Sequence, residues 1–308
     1  MRSAFVRALV EVAEEDPRIV LLTGDLGFMA LEPFAEKMPE RFVNVGVAEQ
    51  NMVGVATGLA EAGFVPFVYS IGTFASMRPY EFIRNGPLLH SLPVRIVGVG
   101  AGMDYGHNGV THYALEDMAL MRTQPEMTVI APADPAQVVS AVRSSTEVPG
   151  PIYFRIGKSS VAIPELGGHF ELGRLDRLRD GEDLAIIGLG SMAVEALEAA
   201  DMLAERGVSA AVAAVASVQP PPVVDLLELL ADVPLVVTVE AHYITGGLGS
   251  LVAELIAGHQ LSCSLARRAV ETMPRGVTGT LPFLNDLHGL SAGSLTETVM
   301  SELSSVYD

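Results

Sequence analysis

Short runs of apolar and β-branched residues alternate with longer stretches of helical periodicity along almost the whole chain. The first half carries "RIVLLTG" (18–24), "RFVNVG" (41–46), "FVPFVYS" (64–70), "PVRIVGVG" (93–100), "MTVIAPA" (127–133) and "PIYFRIG" (151–157). Runs apolar at nearly every position predict strands buried on both faces. The helical patterns between them predict a parallel sheet with helices on both sides. The rhythm breaks at "KSSVAIPELGGHFELGRLDRLRDGE" (158–182), rich in Gly, Pro and charge, and resumes with "DLAIIGLG" (183–190), "SAAVAAVAS" (209–217) and "PLVVTVE" (234–240). The expectation is α/β: two domains, each a mostly parallel sheet with helices on both faces, over 1–160 and 183–308 with a linker at 161–182.

Ligands of open parallel sheets sit outside the carboxyl ends of the strands. In the first domain those ends lead to Asp25, Glu49, the 70–74 loop and the long loop 100–113. Glu49 opens the apolar helical stretch within "NVGVAEQNMVGVATGLAEAG" (44–63). A glutamate there has an ordinary reading, because free N–H groups and the helix dipole stabilise a carboxylate. Gly54, Gly58 and Ala62 recur every four residues on that helix, a spacing that suits core packing or close approach of a helix from another subunit. Phe74, Met77 and Tyr80 share one side of the next helical segment, a stripe that serves a core as readily as a cofactor.

The loop "GAGMDYGHNGVTHYALED" (100–117) brings four glycines with His107 and His112 to a strand end, which favours substrate contact. No cysteine or carboxylate set at ligand spacing accompanies the histidines, so no metal site is assigned. "GLGSMA" (188–193) has the outline of a dinucleotide fingerprint, but the next strand runs into "AAVASVQPPP" with no acid for a ribose. Close strand–helix packing explains those glycines.

Composition narrows the classes. The chain has 308 residues, formal net charge −18 and only two lysines, Lys37 and Lys158. Such a field repels nucleic acid and anionic membrane, and an anionic ligand needs a local cluster of cations. Mean hydropathy is high at +0.38, yet no unbroken apolar run reaches the roughly 18 residues that span a bilayer. The N-terminus lacks the pattern of a signal peptide. A lone cysteine, Cys263, excludes an internal disulfide framework and fits a reducing, cytoplasmic compartment. Apolar surplus without a membrane span points to partner subunits.

Taken in order, "LLTGDLG", "FVNVGVAEQNMVGVATGLAEAGFVPFV", "GVTHYALEDMALMRTQPEMTVIAPAD", "PIYFRIGK" and "VVTVEAHYITGGLGS" resemble the transketolase family of thiamine-diphosphate enzymes over nearly the whole chain. The resemblance covers the family's pyrimidine-binding and C-terminal domains. The family's diphosphate-binding domain, with its G-D-G motif for Mg²⁺ and phosphates, has no counterpart in this sequence. The resemblance therefore implies one subunit of a split transketolase. It would transfer a two-carbon ketol unit from a ketose or its phosphate to an aldehyde. A separate diphosphate-binding chain would hold Mg²⁺ and the cofactor's other end, in an α2β2 heterotetramer with active sites between subunits.

The same resemblance sets Glu49 against N1′ of the cofactor's aminopyrimidine, where a shared proton favours the imino tautomer that deprotonates the thiazolium. Burial favours the protonated carboxyl and the helix start the ionised one, and the sequence leaves that balance open. Phe74 takes the stacking position, Tyr80 a second aromatic place, and Met77 stands where another aromatic is usual. Asp25 matches an acid near the centre, and His112 a histidine that contacts substrate oxygens. Arg2 and Arg155 take the places of two substrate-anion arginines. Met29 and Gly100 replace a serine and a histidine of that anion site, and His107 and Asn108 replace acids near the substrate. An altered substrate is therefore expected. Other readings are the beta subunit of a 2-oxo acid dehydrogenase, a deoxyxylulose-phosphate-type synthase subunit, and a non-catalytic scaffolding subunit. Glu240 and His242, at a strand end in the second domain, are expected to be structural or interfacial.

Overall fold

A computed structural model describes residues 1–306. Twelve strands form two sheets. They are β1 (Ile19–Thr23), β2 (Phe42–Asn44), β3 (Val65–Ile71), β4 (Arg95–Val99), β5 (Thr128–Ile130), β6 (Ile152–Ile156), β7 (Leu175–Arg179), β8 (Leu184–Leu189), β9 (Ala210–Val215), β10 (Ser217–Gln219), β11 (Leu235–Tyr243) and β12 (Ser264–Val270). The first sheet runs β10-β5-β6-β4-β3-β1-β2 and the second β12-β11-β8-β9-β7. All pairings are parallel except the outermost two, β10 on β5 and β7 on β9.

The near-continuous apolar runs have the expected cause. Every residue of β1, β3, β4 and β6 is buried, because helices cover both faces. Helices Arg2–Glu15 and Pro135–Ser145 pack Phe5, Leu9, Val138 and Val142 against Phe67 and Phe154 on one face. On the other, Met52 and Val53 of helix Glu49–Glu61 join Val68, Ile96 and Met121 in a core that runs on into the second sheet through Ile187, Ala211 and Leu251. The two halves thus share one apolar interior.

Two segments depart from the sequence reading. The stretch expected as a linker contains β7, the antiparallel edge of the second sheet. Its charged, alternating sequence suits a strand with one solvated face, and the Gly and Pro around it hid the short run. The single strand expected over 209–217 breaks after Val215, and β10 crosses back to the first sheet, with Ser217 opposite Ile130. Each domain is therefore tied to the other through backbone pairing.

Two glycines of "GLGSMA" serve packing, as expected: a side chain at Gly188 would meet the backbone of Ala193 at 2.6 Å, and one at Gly190 would meet the Ala131 carbonyl at 2.9 Å.

Candidate active site

From β1 the chain goes outward to β2 and then returns to β3 on the other side, so strand order reverses between β1 and β3. Crevices at such a reversal are where α/β sheets bind ligands. Glu49 begins the helix after β2, Gly24 follows β1, and Ser70 lies near the end of β3. All three converge. A Cβ on Gly24 would lie 3.4 Å from Glu49 Oε1, and Ser70 Oγ donates to that oxygen at 2.9 Å.

The ordinary helix-cap reading of Glu49 does not hold. Among the described residues, neither of its oxygens accepts from its own helix's N–H groups; Ser70 takes one, and Arg78 Nη1 donates to the other at 2.7 Å. The Glu49 side chain is 1% exposed while that of Arg78 is 45% exposed. A buried carboxylate is expensive unless paired, and Arg78 and Ser70 supply that pairing here. The Arg78 guanidinium also lies over the Phe74 ring, 3.9 Å from its centroid. His112 meets the same ring edge-on at 5.3 Å between centroids, and Thr111 Oγ1 contacts His112 Nδ1 at 3.0 Å. Glu49, Phe74 and His112 therefore form one cluster.

The loop carrying His112 leans on the second domain. Tyr113 Oη donates to the carbonyls of Gly106 and Val277, and Tyr243 N–H donates to Leu115. At Gly102 a Cβ would meet Ala241 at 2.6 Å, so the loop can pass β11 only as glycine. Glu240 accepts from Leu248 and Gly249 N–H at the start of helix Leu248–His259, and His242 Nε2 accepts from Ala119 N–H. Both are structural, and the second domain acts as a scaffold for the loop.

Farther along the loop, Tyr105 lies 6.1 Å from His112 between ring centres, and Lys158 Nζ sits 4.3 Å over the Tyr105 ring. Gly100 has φ +85°, and a side chain there would overlap the Tyr105 ring. The tyrosine thus takes the room left by the absent side chain, and burial raises its phenol pKa. Asp104 Oδ2 accepts from Lys158 N–H at 2.7 Å; burial pushes this carboxyl up, and that bond opposes the push. Beyond Lys158 opens a pocket of about 350 Å³ that Arg2, Arg7 and Lys158 line. In a chain of net charge −18, this pocket gathers three cations.

Arg155 is not part of it. Its side chain is 3% exposed and pairs with Asp117 at 3.0 Å, while Nη2 donates to the carbonyls of Ala114 and Ala241. In this arrangement Arg155 staples the loop to the second domain.

Two family models divide the chain: the transketolase pyrimidine binding domain matches residues 1–164 and the transketolase C-terminal domain residues 173–293. The chain belongs to the transketolase family. Among transketolase relatives, it is 39% identical to the transketolase C-terminal section of Methanocaldococcus jannaschii, over 98% of this chain and 96% of that one. It is 37% identical to 6-deoxy-6-sulfo-D-fructose transketolase subunit SqwH of Clostridium sp. (strain MSTE9), over 95% and 91%. Among solved structures, "Split gene transketolase, inactive beta4 tetramer" matches with TM-score 0.90 at 39% identity, covering 98% of each chain. Transketolases depend on thiamine diphosphate.

Against that requirement, Asp25 is exposed beside Gly24 and shares two hydrogen bonds with Asn44, one through its N–H and one through Oδ1. Met77 is 48% exposed next to Arg78. Tyr80 points elsewhere: its hydroxyl donates to Leu120 O at 2.8 Å and accepts from Gln124 at 2.6 Å. In this arrangement Tyr80 ties its own helix to the segment around Leu120 and Gln124. His107 and Asn108 are exposed on the 3₁₀ turn Gly106–Asn108, and Met29 is 92% exposed with φ 62°. Sequence reasoning missed Ser70, Arg78, Tyr105 and Lys158 as site residues. Arg78 stands four residues after Phe74, the spacing at which helical neighbours meet. Lys158 is one of only two lysines.

Proposed function

We propose that this chain is the pyrimidine-binding subunit of a split transketolase that moves a two-carbon ketol unit from an anion-bearing ketose to an aldehyde. One observation carries the reading: the dry carboxylate of Glu49 meets a flat, N–H-bearing group stacked on Phe74. A guanidinium shares its planar N–C–N unit with an aminopyrimidine, so these residues fit that ring. Glu49 would hold the ring nitrogen and Phe74 the ring face, with Met77 and the Gly24–Asp25 turn at the rim. When bound, thiamine diphosphate supplies the carbon nucleophile and the electron sink for cleaving the bond beside a ketose carbonyl.

The protein's part is placement and proton transfer. Ser70 fixes the rotamer of Glu49, which holds a proton at the ring nitrogen. His112 Nδ1 is engaged by Thr111, and among the described residues Nε2 has no protein partner, so it is free to hold or move a proton at substrate oxygens. His107 and Asn108 lie on the same loop and would read the rest of the substrate. Arg2 and Lys158 would hold its terminal anion, a phosphate or, as the Clostridium relative's name indicates for that protein, a sulfonate.

A separate subunit would hold Mg²⁺ and the diphosphate, a reading supported by the names of the relatives, a transketolase subunit and a split gene transketolase. Among the described residues no group of three or more His, Cys, Asp or Glu could hold a metal. The exposed Val47, Val55, Phe82 and Leu89, with Gly54 and Gly58 open on helix Glu49–Glu61, suit an interface in an α2β2 assembly. No described helix is long and apolar enough to cross a membrane. With one cysteine in the chain, the cytoplasm is the proposed compartment.

The test pairs the chain with its diphosphate-binding subunit and follows aldose release from ketoses ending in phosphate, sulfonate or an uncharged hydroxyl. Anion-bearing ketoses should be preferred, and Lys158→Ala should raise KM about tenfold, the equivalent of one lost charged contact, with kcat little changed. A preference for uncharged ketoses contradicts the anion assignment. Decarboxylation of a 2-oxo acid in place of ketol transfer contradicts the reaction.

A further inference from the structure

Arg78 makes both contacts that the proposed cofactor ring needs. Its guanidinium covers Phe74 at 3.9 Å and bonds Glu49 Oε2 at 2.7 Å. We propose that Arg78 is an internal stand-in for the aminopyrimidine, closing the site while the cofactor is absent and swinging out to admit it. The inference rests on the assignment of Glu49 and Phe74 to cofactor binding.

The chemistry favours such a device. An empty site would leave the Glu49 carboxylate buried with Ser70 as its remaining partner, a costly state. A guanidinium that is itself half in solvent removes that cost, and stacking adds a cation–π contribution. The long flexible side chain allows the same group to leave. It starts from the last turn of helix Gly72–Met77, just beyond Met77 at the rim, so rotation about its side-chain bonds suffices and the backbone can stay in place.

The device has a thermodynamic consequence. Apparent cofactor affinity equals the intrinsic affinity reduced by the fraction of molecules with the site open. Removing the plug should therefore tighten binding. A residue that helped to hold the cofactor would give the opposite sign.

The experiment titrates thiamine diphosphate with Mg²⁺ by calorimetry into the chain assembled with its diphosphate-binding subunit, for the wild type, Arg78→Met and Arg78→Lys. Methionine keeps the apolar stem and loses both stand-in contacts; lysine keeps the ion pair and loses the planar stack. Arg78→Met should bind about five- to tenfold more tightly than the wild type, with faster association, and Arg78→Lys should fall between. Thermal unfolding of the cofactor-free variants reports the plug separately, because Arg78→Met should lower the melting temperature of the cofactor-free protein more than that of the loaded one. Equal or weaker binding by Arg78→Met, while the wild type binds normally, overturns the plug and leaves the cofactor assignment standing. Absence of binding in all three proteins overturns both.

Discussion

Replacing Arg155 with leucine separates a structural staple from a substrate ligand. Arg155 gives Nε to the buried Asp117 and Nη2 to the carbonyls of Ala114 and Ala241, at 2.6–3.0 Å. Asp117 also accepts from Tyr153 Oη, but its Oδ1 has no partner even in the intact protein. Leucine would leave a buried carboxylate short of its counter-charge and two carbonyls without donors. Breaking one side of a buried ion pair costs about 3–5 kcal/mol. For a chain of this size the melting temperature should then fall by roughly 5–8 °C. Arg155→Lys should recover only part, because an ammonium cannot span all three acceptors. Adding Asp117→Asn to Arg155→Leu should return about 1–3 kcal/mol, since the unpaired charge is then gone. Circular dichroism melts at neutral pH, with KM measured on the folded fraction, make the assay. A melting temperature unchanged within about 1 °C, which is less than 1 kcal/mol, together with a tenfold rise in KM would refute the reasoning and restore Arg155 as a ligand.

Other outcomes follow from the same structure. Gly100→Ala forces a Cβ onto a left-handed backbone and into the Tyr105 ring, so it should cost at least about 1 kcal/mol. The double variant with Tyr105→Ala should recover the overlap but not the backbone strain, and equal stability of Gly100→Ala and wild type would contradict this packing. Arg174 forks onto Asp225, which also accepts from Leu175 N–H at the start of β7. Arg174 thereby holds the Asp225 carboxyl below its ordinary range. A depressed carboxyl contributes stability above its unfolded pKa, and that contribution is lost as pH falls through the folded value. Asp225→Asn should thus be less stable by about 1 kcal/mol at pH 7, with the gap closing below about pH 4. A gap that stays constant from neutral to acid pH would contradict the assignment.

The sheets were legible because burial on both faces leaves an unbroken apolar run, as in β3 and β8. The same rule failed at β7: an edge strand with a solvated face carries Arg177 and Arg179, and reads like a loop. It failed again at Ala216, where one chain serves two sheets with no change in composition. In the candidate site, motif order fixes where Glu49, Phe74 and His112 start, and the fold brings those three positions together. For Arg155 and Tyr80, motif position says where a side chain starts, whereas partners decide where it goes. Asp117 draws Arg155 inward, and the carbonyl of Leu120 draws the Tyr80 hydroxyl away. Arg78 and Lys158 were overlooked for a related reason. Their places come from the rings of Phe74 and Tyr105: Arg78 lies one helical turn from its ring, where spacing offered a signal, whereas no spacing rule announces Lys158 over a ring 53 residues away (158 − 105).

The central claim is that Glu49 is the proton partner of a cofactor ring. It is tested most directly without any substrate, by the rate of deuterium exchange at the thiazolium C2 of thiamine diphosphate bound to the assembled enzyme. Exchange should be fast in the wild type and slower by about 10²–10⁴-fold in Glu49→Ala, the usual worth of a positioned acid–base group, with the cofactor still bound at saturating concentration. Equal exchange rates in the two loaded proteins would contradict the claim and leave Glu49 as no more than a buried partner for Arg78.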